Sequence, residues 1–103
     1  MIFAEKDVLK RWPEVRRYYA ISYPFYSMNP QIHPEWELMY VTQGRCIVSY
    51  WEQEQRIDQS LREGEYILLG GSVQHQLTVE KGTPCRILNL EGLLVPASGA
   101  FRL

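Results

Sequence analysis

Cysteine is scarce in this sequence: only Cys46 and Cys85 occur among 103 residues. That is too few for a disulfide framework, and their distance apart excludes a CxxC metal knuckle. They read as reduced, buried thiols, with a single bridge between them as the alternative. A positive excess is also missing, since eleven Lys and Arg face twelve Asp and Glu for a formal charge of −1. Domains that grip phosphates by counterion release carry a clear cationic surplus, so these residues are not expected to touch nucleic acid. No apolar run suits a bilayer. The longest uncharged stretch, Tyr18 to Pro34, contains Pro24, Asn29, Pro30, Gln31 and His33, which hydrocarbon would not accept. The N-terminal MIFAEKDVLKRW puts charges where a signal peptide needs an apolar segment, so a cytoplasmic protein is expected. Repeats and low-complexity tracts are absent. So are a nucleophile with an adjacent base and a phosphate-cradling loop, because Gly70-Gly71 precedes a strand rather than a helix.

What is present is aromatic and β-forming. Seven Tyr, three Trp and three Phe, with 46% hydrophobic residues overall, exclude a disordered chain. The length fits one domain burying roughly 60–65% of its unfolded surface. Strands are predicted near Tyr19–Tyr23, Trp36–Thr42, Cys46–Trp51, Gln55–Leu61, Tyr66–Leu69, Gln76–Glu80 and Arg86–Glu91. Asn29-Pro30, Glu63-Gly64, Gly70-Gly71-Ser72 and Lys81-Gly82-Thr83-Pro84 separate them. Tight reversals at Gln43-Gly44 and Glu52-Gln53-Glu54 suggest an antiparallel meander. Short strands without a long helix indicate a sandwich or a small barrel. Residues 1–17 are predicted to be an arm or short helix, with Asp7 capping a turn that carries Val8, Leu9 and Trp12. The barrel is expected over 18–96. The apolar end, 97–103, reads as the start of a linker to a further region.

Both histidines sit in informative company. If residues 33–41 form a strand, His33, Glu35, Glu37, Met39 and Val41 share a face. A second strand opens with His75, whose same-face neighbours are Leu77 and Val79. Gln31, His33, Glu37 and Gly44, followed by Gly64, Gly70, Ser72 and His75, resemble the two motifs of the cupin superfamily. The first motif's leading histidine is here Gln31, and the second motif's proline and second glycine are replaced. Within that superfamily, HPEWELMYVTQGRCIVSY, LREGEYILLGGSVQHQL and PCRILNLEG resemble the N-terminal effector-binding domain of AraC-type transcriptional regulators.

That resemblance implies a cupin-like antiparallel β-barrel, a double-stranded β-helix or jelly roll, preceded by a short arm. It implies a small polar effector, a sugar being one candidate, and a homodimer. DNA binding would belong to a C-terminal region not present in these residues. His33, Glu37 and His75 are the first candidates for ligand contact, with Gln31 and Trp36 second. In cupin enzymes these positions, Trp36 apart, hold a metal, and two His with one carboxylate suit Zn, Fe or Mn. Gln31 is a poor fourth ligand, so no cofactor is favoured and a hydrogen-bonded polar cluster is the preferred alternative. A metal-dependent isomerase or dioxygenase is the runner-up function, and a dimerisation module with a filled barrel the third. Trp36, Tyr40, Tyr50, Trp51 and Tyr66 are candidate stacking surfaces or plain packing residues. Trp12, Arg16, Arg17 and Tyr18 would correspond to an arm that closes over the pocket, or else form a surface tail. Arg45, Arg56, Arg62 and Arg86 fall in or beside strands, and alternation leaves open which side they face.

Overall fold

The structure, a computed structural model, describes residues 11–24 and 26–96. Seven strands account for most of it: β1 (Arg11–Tyr23), β2 (Tyr26–Ser27), β3 (Trp36–Glu52), β4 (Gln55–Arg62), β5 (Tyr66–Leu69), β6 (His75–Val79) and β7 (Cys85–Pro96). All pairings are antiparallel. One sheet runs β1-β7-β3-β5 and the other β2-β6-β3-β4, with β3 common to both. The sheets curl towards each other as a jelly-roll half-barrel, the expected fold class.

The organiser is β3. Two strands were expected here, divided by a reversal at Gln43-Gly44, but the chain runs straight through. A bulge lies between Val41 and Gln43 instead, and Gly44 takes a φ of 77°. A Cβ on Gly44 would come within 1.8 Å of the Pro84 carbonyl oxygen, so only glycine admits this approach of β3 to the β6–β7 loop. The first half of β3 pairs with β7 and β5, the second with β4 and β6. The meander is therefore corrected: β3 is long enough to carry four partners, and successive strands cross between the sheets. The other expected breaks are turns, except Asn29-Pro30, which lies in irregular backbone between β2 and β3. Gln53 and Glu54 both adopt positive φ, 50° and 65°, the two-residue geometry that matches hairpin twist.

Inward residues of the two sheets meet in a core centred on Met39, Val41, Val48, Leu69, Val79 and Ile87. Each buried aliphatic of this kind contributes about 1.5–3 kcal/mol relative to exposure. Cys46 and Cys85 are in the same core, and both are free. Burial, and then the neighbouring Cys85, pushes the Cys46 thiol up to about 12.

Residues 11–17, assigned from sequence to the arm, lie in β1 as strand paired with β7. The rest of the expected helix, and the expected linker at 97–103, lie outside the described residues.

Candidate functional site

Two segments distant in sequence are stitched together at the open end of the half-barrel. Gln31 and His75 form a reciprocal backbone bridge, with N–H···O distances of 2.8 and 2.9 Å. The Ser72 amide donates to the His33 carbonyl at 2.7 Å. The loop between β5 and β6 can lie this close because Gly71 has no side chain: a Cβ there would be 2.2 Å from the Pro34 carbonyl oxygen. The small-residue turn thus serves to seat one histidine beside the other.

The three leading candidates are brought together. Glu37 Oε1 lies 3.1 Å from His33 Nε2 and 3.2 Å from His75 Nε2, and the two rings meet edge to face with centroids 4.8 Å apart. Each Nδ1 is already committed, His33 to the Glu35 carbonyl at 3.1 Å and His75 to the Val73 carbonyl at 2.9 Å. A carbonyl only accepts, so both Nδ1 atoms carry hydrogen. In the neutral tautomer both Nε2 lone pairs would then face a carboxylate oxygen, an arrangement that requires a cation between them, either a proton or a metal ion.

Electrostatics agree. Burial opposes a charged His75, but the hydrogen bond to Glu37, the Val73 carbonyl and the Glu37 and Glu91 charges together raise its pKa above the ordinary 6.5. Burial also works against an ionised Glu37, yet His75 and His33 bring its pKa below the ordinary 4.5.

These side chains form one wall of a cavity of about 300 Å³. The facing wall comes from β1 and β7. Glu91 and Asn89 are buried on the inner face of β7, while Arg17, Tyr19, Ile21 and Tyr23 line the cavity from β1. Arg17 Nη2 donates to Glu91 Oε1 at 3.1 Å, and Asn89 Nδ2 donates to Tyr19 Oη, also at 3.1 Å. Burial first, then the Glu91 and Glu37 carboxylates, push the Tyr19 phenol up to about 12, so it stays neutral and can donate to a ligand. The hollow therefore presents cation, anion, hydroxyl and amide within one small volume, over a floor of Met39, Leu77 and Ile87.

The description AraC-like ligand binding domain matches residues 15–98. This chain belongs to that family. No curated protein matches this AraC-like domain in sequence. Among solved structures it resembles the cupin domain of Drosophila melanogaster CENP-C, with a TM-score of 0.67 at 11% identity over 74% of this chain and 56% of that one. A proposed mannose-6-phosphate isomerase from Ralstonia eutropha JMP134 gives a TM-score of 0.64 at 15% identity, covering 81% of this chain and 82% of that one. A structure of oxalate oxidase gives 0.65 at 17% identity, over 76% and 44%. The AraC-like domain spans 56–62% of the length of the Drosophila structures. At these identities the likeness establishes the cupin fold and no more.

The donor set passes a simple test for a divalent ion. The ligand atoms of His33, Glu37 and His75 all lie within 4.8 Å of one another, and the Nδ1 hydrogen bonds aim both Nε2 atoms at the shared point. A tetrahedral site with bonds near 2.1 Å separates its ligands by about 3.4 Å, and Glu37 Oε1 lies 3.1 and 3.2 Å from the two Nε2 atoms. An ion held there would supply Lewis acidity to an oxygen-bearing ligand.

Gln31 also lines the cavity. Trp36 does not: strand alternation turns it away from Glu37, and its ring packs at Gly92 of β7. Tyr40, Tyr50, Trp51 and Tyr66 are likewise not part of the lining, and the cavity's aromatic residues are Tyr19, Tyr23 and Tyr26. Of the expected closing segment, Arg17 reaches the cavity, whereas Arg16 pairs with Glu14 and Tyr18 is 74% exposed. The polar cavity-lining residues that sequence reasoning missed are Tyr19, Asn89 and Glu91. Their signal was the alternation Ile87, Asn89, Glu91, legible once its buried side is known.

Proposed function

We propose that this domain senses a small polar molecule within a transcriptional regulator, His33, Glu37 and His75 contacting the effector with Gln31 beside them. One observation carries this reading: a hollow of about 300 Å³ lined by buried Glu37, His75, Asn89 and Glu91. Buried polar groups cost free energy unless they are paired, and this group leaves space that a hydroxyl-rich molecule can fill. The volume lies at the lower end for ligand sites and argues against a filled barrel.

Reporting runs through β1. That strand pairs with β7 along one side and supplies Arg17, Tyr19, Ile21 and Tyr23 to the cavity. An effector that binds differently to docked and displaced β1 shifts their balance, and about 1–3 kcal/mol of coupling is enough for regulation. DNA contact belongs to a further region of the regulator, and the protein acts in the cytoplasm.

The domain pairs with a second copy through the outer face of β1-β7-β3-β5. Register puts Tyr18, Leu90, Leu38 and Leu68 in one row and Ala20, Leu88, Tyr40 and Tyr66 in the next. No charge interrupts these rows, and Tyr66 is 64% exposed. Contiguous apolar surface of this kind marks an interaction face.

The test is a thermal-shift and calorimetric screen of sugars, polyols and hydroxy acids. Glu37→Ala and His75→Ala should each weaken the binding of any hit while leaving the far-ultraviolet circular dichroism intact. Unchanged affinity in both variants would refute the placement.

A second reading is favoured by the convergence of both Nε2 atoms on Glu37: a metal-dependent cupin enzyme of isomerase or dioxygenase type. Stoichiometric Zn, Fe or Mn surviving dialysis, together with turnover, would support it. A protein that binds an effector without either would exclude it.

A further inference from the structure

At the other end of the same strands lies a second cleft, of about 950 Å³, bordered by Arg45, Arg62 and Arg86. Arg45 on β3 and Arg62 on β4 are directly opposite in register, and Arg86 on β7 faces Gln43, two positions along β3 from Arg45. Their neighbours Cys46, Leu61 and Ile87 are buried, so alternation sends all three guanidiniums to the outer surface, in a row across three adjacent strands.

The row has no close ion pair, although Glu80 lines an adjoining pocket with Arg45 and Arg62. Like charges directly opposite in a sheet are destabilising. Elsewhere the arginines have carboxylate partners: Arg16 with Glu14, Arg17 with Glu91 and Arg56 with Asp58. Among the described residues, none lies within 4.0 Å of the guanidinium of Arg45, Arg62 or Arg86. Glu65 is close but accepts from the Arg62 backbone amide at 2.7 Å. The lining holds one acid, Glu63, so three guanidiniums less one carboxylate leave +2. Ser22, Gln43 and Thr83 add neutral hydrogen-bonding groups around them.

We infer that this cleft is a second binding site, separate from the His33–Glu37–His75 cavity, and that it takes a compact dianion carrying a phosphoryl group. The charge matches, since a phosphomonoester carries about −1.5 to −2 at pH 7. The geometry matches as well, because guanidinium forks pair with phosphate oxygens in bidentate fashion. An extended nucleic acid is disfavoured: three cations cannot track a backbone, and the chain as a whole carries −1.

The experiment is a low-salt titration with inorganic phosphate, pyrophosphate and, as a dicarboxylate control, glutarate, followed by calorimetry and by amide and Arg Nε–H NMR shifts. Phosphate and pyrophosphate should shift Gly44, Thr83 and the three arginines. Arg45→Gln should weaken pyrophosphate at least about tenfold, and Arg45→Gln with Arg62→Gln about a hundredfold. Arg56→Gln should leave that binding unchanged. Because like-charge repulsion is relieved, Arg45→Gln should hold or raise the melting temperature, whereas a structural arginine would lower it. The inference is overturned by any of four results: no phosphate response at millimolar concentration, binding retained in the double variant, glutarate binding as tightly, or shifts centred on His33 and His75.

Discussion

Replacing Glu37 by glutamine tests how the cluster is held together, because it removes a charge and almost nothing else. Both imidazoles have given their Nδ1 hydrogens to carbonyls, so a hydrogen bond from either Nε2 to Glu37 needs an imidazolium. Charge-assisted bonds contribute about 1.5–3 kcal/mol and neutral ones about 0.5–1.5. Exchanging the His75 bond from the first kind to the second costs about 1–1.5 kcal/mol. For a domain of this size that lowers the melting temperature by about 4–12 °C.

The pH dependence gives the sign. His75 has a folded pKa above its ordinary 6.5, so its contribution is complete below that value and fades as pH rises through the folded pKa. Glu37 has a folded pKa below 4.5, so its contribution is complete above that value and fades as pH falls through the folded pKa. The cluster therefore stabilises most between about pH 4.5 and 6.5. In Glu37→Gln burial still opposes a charged His75 while only the Val73 carbonyl and the Glu91 charge favour it, so its pKa should fall from its value in the parent protein. Urea melts of chelator-treated protein from acid to alkaline pH, with imidazole Cε1–H titrations by NMR, measure both effects. Parallel stability profiles for the two proteins, or an imidazole at position 75 that titrates in the variant where it does in the parent, would refute the reasoning.

Other outcomes follow from single contacts. Gly71→Ala sets a Cβ against the Pro34 carbonyl, which belongs to backbone and cannot swing away. It should cost about 1–3 kcal/mol in denaturant melts and pull the His75 pKa back towards its ordinary value as the two segments separate. Gln53 and Glu54 both hold positive φ, so replacing the pair by Asn-Gly should raise stability by about 1 kcal/mol in the same assay. With Cys46 pushed up to about 12 and both thiols buried, about one Cys46 in ten thousand is thiolate at pH 8. Iodoacetamide should label neither cysteine in the native protein and both in urea, as mass spectrometry would show.

Local chemistry and long-range pairing contributed unequally to what the sequence could reveal. Turns at Glu63-Gly64 and Lys81-Gly82-Thr83-Pro84 were legible because Gly64 and Gly82 occupy positive φ, a requirement written in the residue itself. Gln43-Gly44 carries the same signal, yet it marks a bulge, since a reversal and a bend within a strand make the same demand on glycine. Only the partners of β3 on either side of Gly44 decide between them, and those partners are far away in sequence. His33, Glu37 and His75 were legible from motif spacing. Trp36 was misplaced although parity argued otherwise: a residue next to Glu37 on a strand cannot share its face.

The residues missed on β7 show why binary patterning fails near this cavity. Leu88 and Leu90 face outwards while Asn89 and Glu91 are inside, the reverse of the usual arrangement. On β1, Arg17 and Tyr19 likewise point inwards and Tyr18 and Ala20 outwards, and on β3 Glu37 is inside and Leu38 outside. Further along the same strands the pattern is ordinary, with Val41, Cys85 and Ile87 buried and Arg86 exposed. Inversion is thus confined to the end that holds the hollow. Burying Glu37, Asn89 and Glu91 there works against folding, and leaving Leu88 and Tyr40 outside adds no core. A chain selected for stability alone would exchange the two sets. Keeping them is intelligible under the proposed reading, in which the inner face meets a polar ligand and the outer face another copy.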